Sequence, residues 1–568
     1  MTTQPDTSTE LAELAEDYWQ QVLRDEPVLA TAIGDRRYDD RLPDHAPQAI
    51  AERRRRLAAL RGRSATLEAS ELDAADRVTL DELRGAIDRD DAVLGLDLDA
   101  WAVDPLEGPV VEALNLESIQ PVRTPDEGAA LVRRWQALGP WFDQHVENLR
   151  RGLADGRVAV RTPVEKATDV IAGALATGDD ETVLLAPARE AHEDWSPADR
   201  DRFRAALREA VTGVVRPAFE RVRTVLEDEV LPRARTDEEP GINRVSEGAA
   251  AYRELVRYHT SLSLTPEEVH ATGVAEVERI DRELEELGRQ VLGATDRSAT
   301  IARLRSDPAL HFTSRDEVTE TAEAALARAQ AAIPGWFGRL SRAPCVVVPM
   351  AAHEEEHSTI AYYRDPAMDG SRPGQYYINA SHPETRPRYE AEALAFHESV
   401  PGHHLQIAIA QELDALPAFR RHLGPTAFFE GWGLYAERLS AEMGLYSGDL
   451  DRFGILSFDA WRACRLVVDT GMHALGWSRQ QAIDYMVEHT ALAPNNIANE
   501  VDRYIVWPGQ ALAYKTGQLE MLRLRAMAAA ARGRRFDIRG FHDVLLGSGA
   551  VSLPTLRAQV ERWIEHPG

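Results

Sequence analysis

The chain has 568 residues, 28% of them charged and 44% hydrophobic, too apolar for a disordered protein and long enough for a large buried core. That length suggests about three or four domains, or one large helical body. The formal charge of −28 repels phosphate backbones and anionic lipid along the whole approach path, which excludes nucleic acid and membrane surfaces as first expectations for a partner.

The start, MTTQPDTSTELAELAEDYWQQ, has no basic segment followed by an apolar stretch, and no run approaches about 18 apolar residues, so a soluble cytoplasmic protein is expected. Cys345 and Cys464 are too few for a disulfide framework or a thiolate zinc site. All but two of the 65 basic residues are arginine, the exceptions being Lys166 and Lys515, a bias that reflects genome composition rather than function.

From Glu10 to about Tyr258 apolar residues recur at three and four, as in LAELAEDYWQQVL and RFRAALREAVTGVVRPAFERVRTVLEDEVL, which predicts an N-terminal helical region over residues 1–258. Short Pro/Gly/Asp breaks punctuate it, with no linker and no fixed repeat. Residues 259–568 form the second region. There Thr265 can cap a helix, Pro266 suits its first turn, and Glu268 completes a capping box. Val269, Val274, Val277, Ile280, Leu284, Leu287 and Val291 then make one apolar stripe.

Between Pro344 and Ala380 the texture changes to β-branched and aromatic runs, CVVVP, TIAYYR and GQYYINA, separated by turn residues; a small antiparallel sheet is predicted. Helical patterns resume at Tyr389 and continue to the end. The expected fold is mostly α, one large helical body around a central channel, with the small sheet ahead of a candidate metal-binding helix.

Seven of the 17 histidines lie between residues 353 and 422, which points to metal chemistry. His353-Glu-Glu-Glu-His357 has the spacing that sets two imidazoles on one helical face, but Glu355 and Glu356 would have to be desolvated in a buried zinc helix. A solvated charged loop is the expectation for it. YEAEALAFHESVPGHHLQIAIAQEL instead places His397, Glu398, His403 and His404 among apolar helical flanks, where buried polar groups need partners and a metal supplies them. In an unbroken helix His397 and His403 point about 120° apart, while His397 and His404 nearly eclipse. Pro401 cannot donate to the carbonyl of His397 and collides with it, so the helix must open there. A widened turn puts His403 in the second ligand position and a simple kink puts His404 there; the widened turn is preferred.

HESVPGHHLQ, FFEGWGLYAERL and RYIVWPGQALAYKTGQLEMLRLRA together resemble a bacterial family known as domain of unknown function 885, strongly from about Leu264 to Ile564. That family in turn resembles the helical gluzincin peptidases, among them the angiotensin-converting enzymes, thimet-type oligopeptidases and thermostable carboxypeptidases. Their His-Glu-x-Gly-His matches His397-Glu398…Gly402-His403 with two residues inserted. Their third ligand, a glutamate on a later helix, corresponds to Glu430, 27 residues after His403.

The resemblance implies one Zn²⁺ held by His397, His403 and Glu430, with Glu398 as general base and a tyrosine, Tyr514 in preference to Tyr504, donating to the oxyanion. Glu437, seven residues after Glu430 on the same helical face, could orient a ligand histidine. His404, Asn379, Gln510 and Lys515 are further candidates beside metal or substrate, although a surface lysine is the plainer reading of Lys515. GQYYINA could pair with an extended substrate and leave Asn379 and Tyr377 near the scissile bond. Arg462, Arg465, Asp469 and His473 read as a structural ion-pair network. The expected function is hydrolysis of peptide or related amide bonds in small substrates. The alternatives are a non-catalytic metal- or peptide-binding protein, and an Fe²⁺ or Mn²⁺ enzyme acting on a small metabolite.

Overall fold

The computed structural model describes residues 6–350, 355, 360–367, 370 and 372–566, and the fold is mostly α with one small sheet. Two compact units are present, Met1–Glu68 with Ala86–Ala249, and Ala69–Gly85 with Ala250–Gly568. Among the described residues no helix is long and apolar enough to cross a membrane.

The first unit is built on α1 (Pro125–Ala154), which starts on a capping box between Thr124 and Glu127. Leu131, Trp135, Leu138 and Phe142 recur at helical spacing and are all buried, and Phe142 meets Phe219 edge to face at 5.3 Å. One apolar stripe thus anchors that unit's core.

The second unit contains α2 (Pro266–Leu287), α3 (Arg388–Glu398), α4 (His403–Gln411), α5 (Thr426–Glu442), α6 (Arg452–His473), α7 (Pro494–Val506) and α8 (Leu512–Arg532). α2 begins as the capping signals predict, with Thr265 accepting from the backbone of Glu268 and Glu268 reaching back. Val269, Val277, Ile280, Leu284 and Leu287 are buried, while Val274 and Val291 are half-buried. α2 lies against α6 at Gly273, where a Cβ would sit 2.7 Å from Cβ of Leu466. Every residue of α6 after Arg452 is buried, which makes it the core helix of this unit. Residues 69–85 belong here through Thr79, which accepts from Arg420, and Glu82, which accepts from Ser552.

The sheet has strands β1 (Cys345–Pro349), β2 (Ala361–Arg364) and β3 (Gly374–Ile378), in the order β1-β3-β2. It is mixed, not antiparallel as expected: β3 runs antiparallel to β2 but parallel to β1. Pro349 has no N–H for a ladder and suits an edge strand, whereas GQYYI has no proline and alternates buried with half-buried residues. β3 therefore inserts between the two strands that precede it. Both its edges are filled, so GQYYINA cannot add a substrate strand.

Candidate metal centre

α3 is buried from Tyr389 to His397 and stops at Glu398. Pro401 and Gly402 account for the stop. A Cβ on Gly402 would lie 1.9 Å from the His397 carbonyl oxygen, so only glycine lets the chain fold back over the helix end. The exposed carbonyls find a donor in the buried indole of Trp432, whose Nε1 reaches the oxygen of Pro401 at 2.9 Å. The helix is broken and restarted rather than widened, and His403 is the first residue of α4.

α5 supplies the remaining groups, and two glycines bring it close. A Cβ at Gly433 would lie 2.6 Å from Cε1 of His397, so the imidazole rests directly on the helix backbone. A Cβ at Gly431 would lie 2.5 Å from Cα of Gly517, so α5 and α8 cross backbone on backbone. Glu430 immediately precedes this crossing, and Tyr514 stands one turn before Gly517.

His397, His403 and Glu430 offer one ligand atom each, all within 4.8 Å of one another. Oε2 of Glu430 is 3.8 Å from Nε2 of His397 and 3.6 Å from Nε2 of His403. Zinc bound tetrahedrally at its usual nitrogen and oxygen distances spaces its ligand atoms about 3.3 Å apart, so a few tenths of an ångström of closure would bring Glu430 to that spacing from both histidines. Nδ1 of His397 is paired with Oε1 of Glu437 at 2.7 Å, which directs Nε2 at Glu430. The donor set, two imidazoles and a carboxylate, is one that zinc takes.

The four groups are strongly coupled electrostatically. Burial disfavours a charged His397, but Glu430 and Glu437 outweigh it and raise the imidazole to about 9. Burial would raise Glu430, yet the two histidines hold it well below the usual carboxylate range. Burial pushes Glu437 upward against His397. Two acids and two imidazoles thus share a largely buried site whose charge a cation would organise. Glu398, half-buried, follows His397 directly.

His404 points elsewhere. Its Nδ1 meets the Tyr363 hydroxyl at 2.9 Å and its Nε2 the Ala343 carbonyl at 3.0 Å, while burial lowers it to about 4. It ties α4 to the sheet. Asn379 also serves the local chain, donating to the Glu355 carbonyl at 2.8 Å and accepting from Ser381. Lys515 is neither a surface lysine nor a substrate anchor: it is fully buried and bonded to Asp459, Gln518 and Glu276 at 2.5, 2.8 and 2.9 Å. Gln510 accepts from Arg503 at 2.8 Å and supports Tyr514. Tyr514 is raised by burial and by the charge of Glu430, so its phenol keeps its proton. Tyr504 is committed to Trp461, Arg465 and Glu500.

The His353–His357 pattern lies outside the described residues except for Glu355. That glutamate is buried rather than solvated, because Arg315 forks onto its carboxylate at 2.6 and 2.8 Å. The expected network on α6 is only partly present. Arg465 bonds Glu500, Asp469 accepts from Tyr252, and His473 meets the Tyr504 carbonyl. Arg462 joins none of them. Tyr376, which its sequence surroundings do not single out, has a fully buried hydroxyl with no hydrogen-bond partner, and it feels the charge of Glu398. Its inward position on β3 follows from strand alternation once Gly374 is seen to pack on His404.

These elements define a helical protein with one largely buried cluster of two histidines and a carboxylate among its described residues. The chain belongs to the family described as "Bacterial protein of unknown function (DUF885)", which it matches over residues 27–560. It is similar to the structure described as "the putative lipoprotein from Colwellia psychrerythraea", at 26% identity and a TM-score of 0.92 over 99% of both chains. A "putative lipoprotein of unknown function" from Shewanella oneidensis shares the fold at 16% identity, with a TM-score of 0.75 over 96% of this chain and 99% of that one. No curated protein matches the chain.

Proposed function

We propose that this protein is a zinc-dependent hydrolase of peptide or related amide bonds in small substrates, of the helical gluzincin kind. The observation that carries the reading is the convergence of His397, His403 and Glu430 within 4.8 Å, with Glu398 next in sequence to the first ligand. Bound zinc would supply a Lewis acid and lower the pKa of water toward neutrality.

The chain's own groups do the rest. Glu398 receives the proton of the attacking water and returns it to the leaving amine. Tyr514 keeps its phenolic proton and donates a hydrogen bond to the substrate oxygen that gains charge. Glu437 holds the His397 ring in one orientation through the proton on Nδ1. We propose a cytoplasmic location, and cell fractionation tests it.

Glu398→Gln tests the mechanism. It should retain about one equivalent of zinc and lose turnover across a diverse peptide library, since the amide cannot take a proton. Loss of the metal, or unchanged turnover, would show that the roles are wrongly assigned.

A further inference from the structure

Arg462 is 6% exposed, yet its Nε and Nη1 are buried without a hydrogen-bond partner. It is the one side chain among the described residues with two such atoms. The guanidinium lies among aromatic rings, with Cζ 4.1 Å from the ring centroid of Trp461, 4.7 Å from Phe458 and 5.9 Å from Tyr514. Arg465, one turn on, stands 4.4 Å from the Tyr514 ring and leaves its own Nη1 buried and unpartnered.

Other buried arginines of this chain are engaged. Arg134 bonds Arg41, Gln120, Thr31 and Tyr38, and Arg465 answers its charge with Glu500. Arg462 has ring contacts and the more distant charges of Glu430 and Glu437. Those charges offset its own but do not accept its N–H groups, and a cation bound at Glu430 would withdraw part of that support. A buried guanidinium is costly unless hydrogen-bonded, and its planar fork matches a carboxylate. On a chain of net charge −28 it is also a local reversal of sign beside the candidate metal centre.

We propose that Arg462, assisted by Nη1 of Arg465, binds a carboxylate of the substrate, so that this site acts on peptides or amides carrying a carboxylate close to the scissile bond. The inference rests on the hydrolase reading for the chemistry, but not for the binding. The carboxylate is either the C-terminus of a peptide or an acidic side chain.

Calorimetric titration of the zinc-loaded full chain tests it with three probes: N-acetyl-alanyl-alanine, its C-terminal amide, and N-acetyl-aspartyl-alanine amide. At least one acid should bind about 10- to 100-fold more tightly than the neutral amide, the size of a charge-assisted hydrogen bond. Which acid does so identifies the source of the carboxylate. The preference should persist in metal-free wild-type protein, where no ion can capture the acid. It should collapse in Arg462→Gln with zinc content unchanged, and return in part in Arg462→Lys. Equal affinity for acids and amide in the wild type, including no binding of any probe, would overturn the proposal without need of a variant. So would a preference that survives Arg462→Gln. An Arg462-dependent preference without cleavage of any peptide would remove the hydrolase reading and leave the carboxylate site standing; cleavage without preference would do the reverse.

Discussion

Oε1 of Glu437 lies 2.7 Å from Nδ1 of His397, with the two side chains 1% and 4% exposed. So buried a pair fixes the ring's aim before any metal arrives. Glu437→Ala should therefore weaken zinc binding by about 10- to 100-fold in competition with a chromogenic chelator. Glu437→Gln, which keeps an acceptor but no charge, should lose less. Unchanged affinity in both would mean that Glu430 and His403 position the ion unaided.

Two glycines on α5, two residues apart, should fail in different ways. Gly433→Ala drives a methyl group into the His397 ring, so zinc affinity should fall with a small change in melting temperature. Gly431→Ala drives one into the backbone of Gly517 and should cost about 1–3 kcal/mol or more of stability, read by urea unfolding of the metal-free protein. Identical effects of the two changes would contradict the packing described.

Adjacent histidines separate ligand from scaffold. His403→Ala should abolish stoichiometric zinc binding. His404→Ala should keep the metal and lose about 1–3 kcal/mol of stability, because the Ala343 carbonyl and the Tyr363 hydroxyl lose their partner. Metal analysis and thermal melting of both variants decide the matter.

Glu390 gives a pH signature. Burial raises its carboxyl from 4.5 to about 7, against the opposing hydrogen bond from Ser457. Between those values the folded protein holds a proton that the unfolded chain has lost, so this group's contribution to stability declines as pH rises through the window. Glu390→Gln removes the decline. Its stability relative to wild type should climb from pH 4.5 to 7 and level off above, as measured by denaturant midpoints. A constant difference would show that Glu390 ionises normally in the fold.

The legible parts of this protein were those carried by local signals. Thr265 and Glu268 announce the start of α2, and the spacing of Val269, Val277, Ile280, Leu284 and Leu287 announces its buried face. Pro401 announces a break, but what the chain does beyond it depends on Gly402 and on Trp432, 31 residues from Pro401, which no local reading supplies. The order of the sheet was hidden for a similar reason: neighbours in sequence are the default pairing, and only the positions of Pro349 and of the alternating GQYYI argue otherwise. Lys515 shows a third kind of gap. Its partners Asp459 and Glu276 come from helices far away in the chain, and nothing around residue 515 reveals them.

The contact between Gly431 and Gly517 has a mechanical consequence. Where helices meet through side chains, rotamer changes can absorb a small slide; here two main chains touch and no such cushion exists. Glu430 and Tyr514 therefore travel together, fixed to one stiff joint. Any gating of this site must come from the parts that face the joint, not from the joint itself.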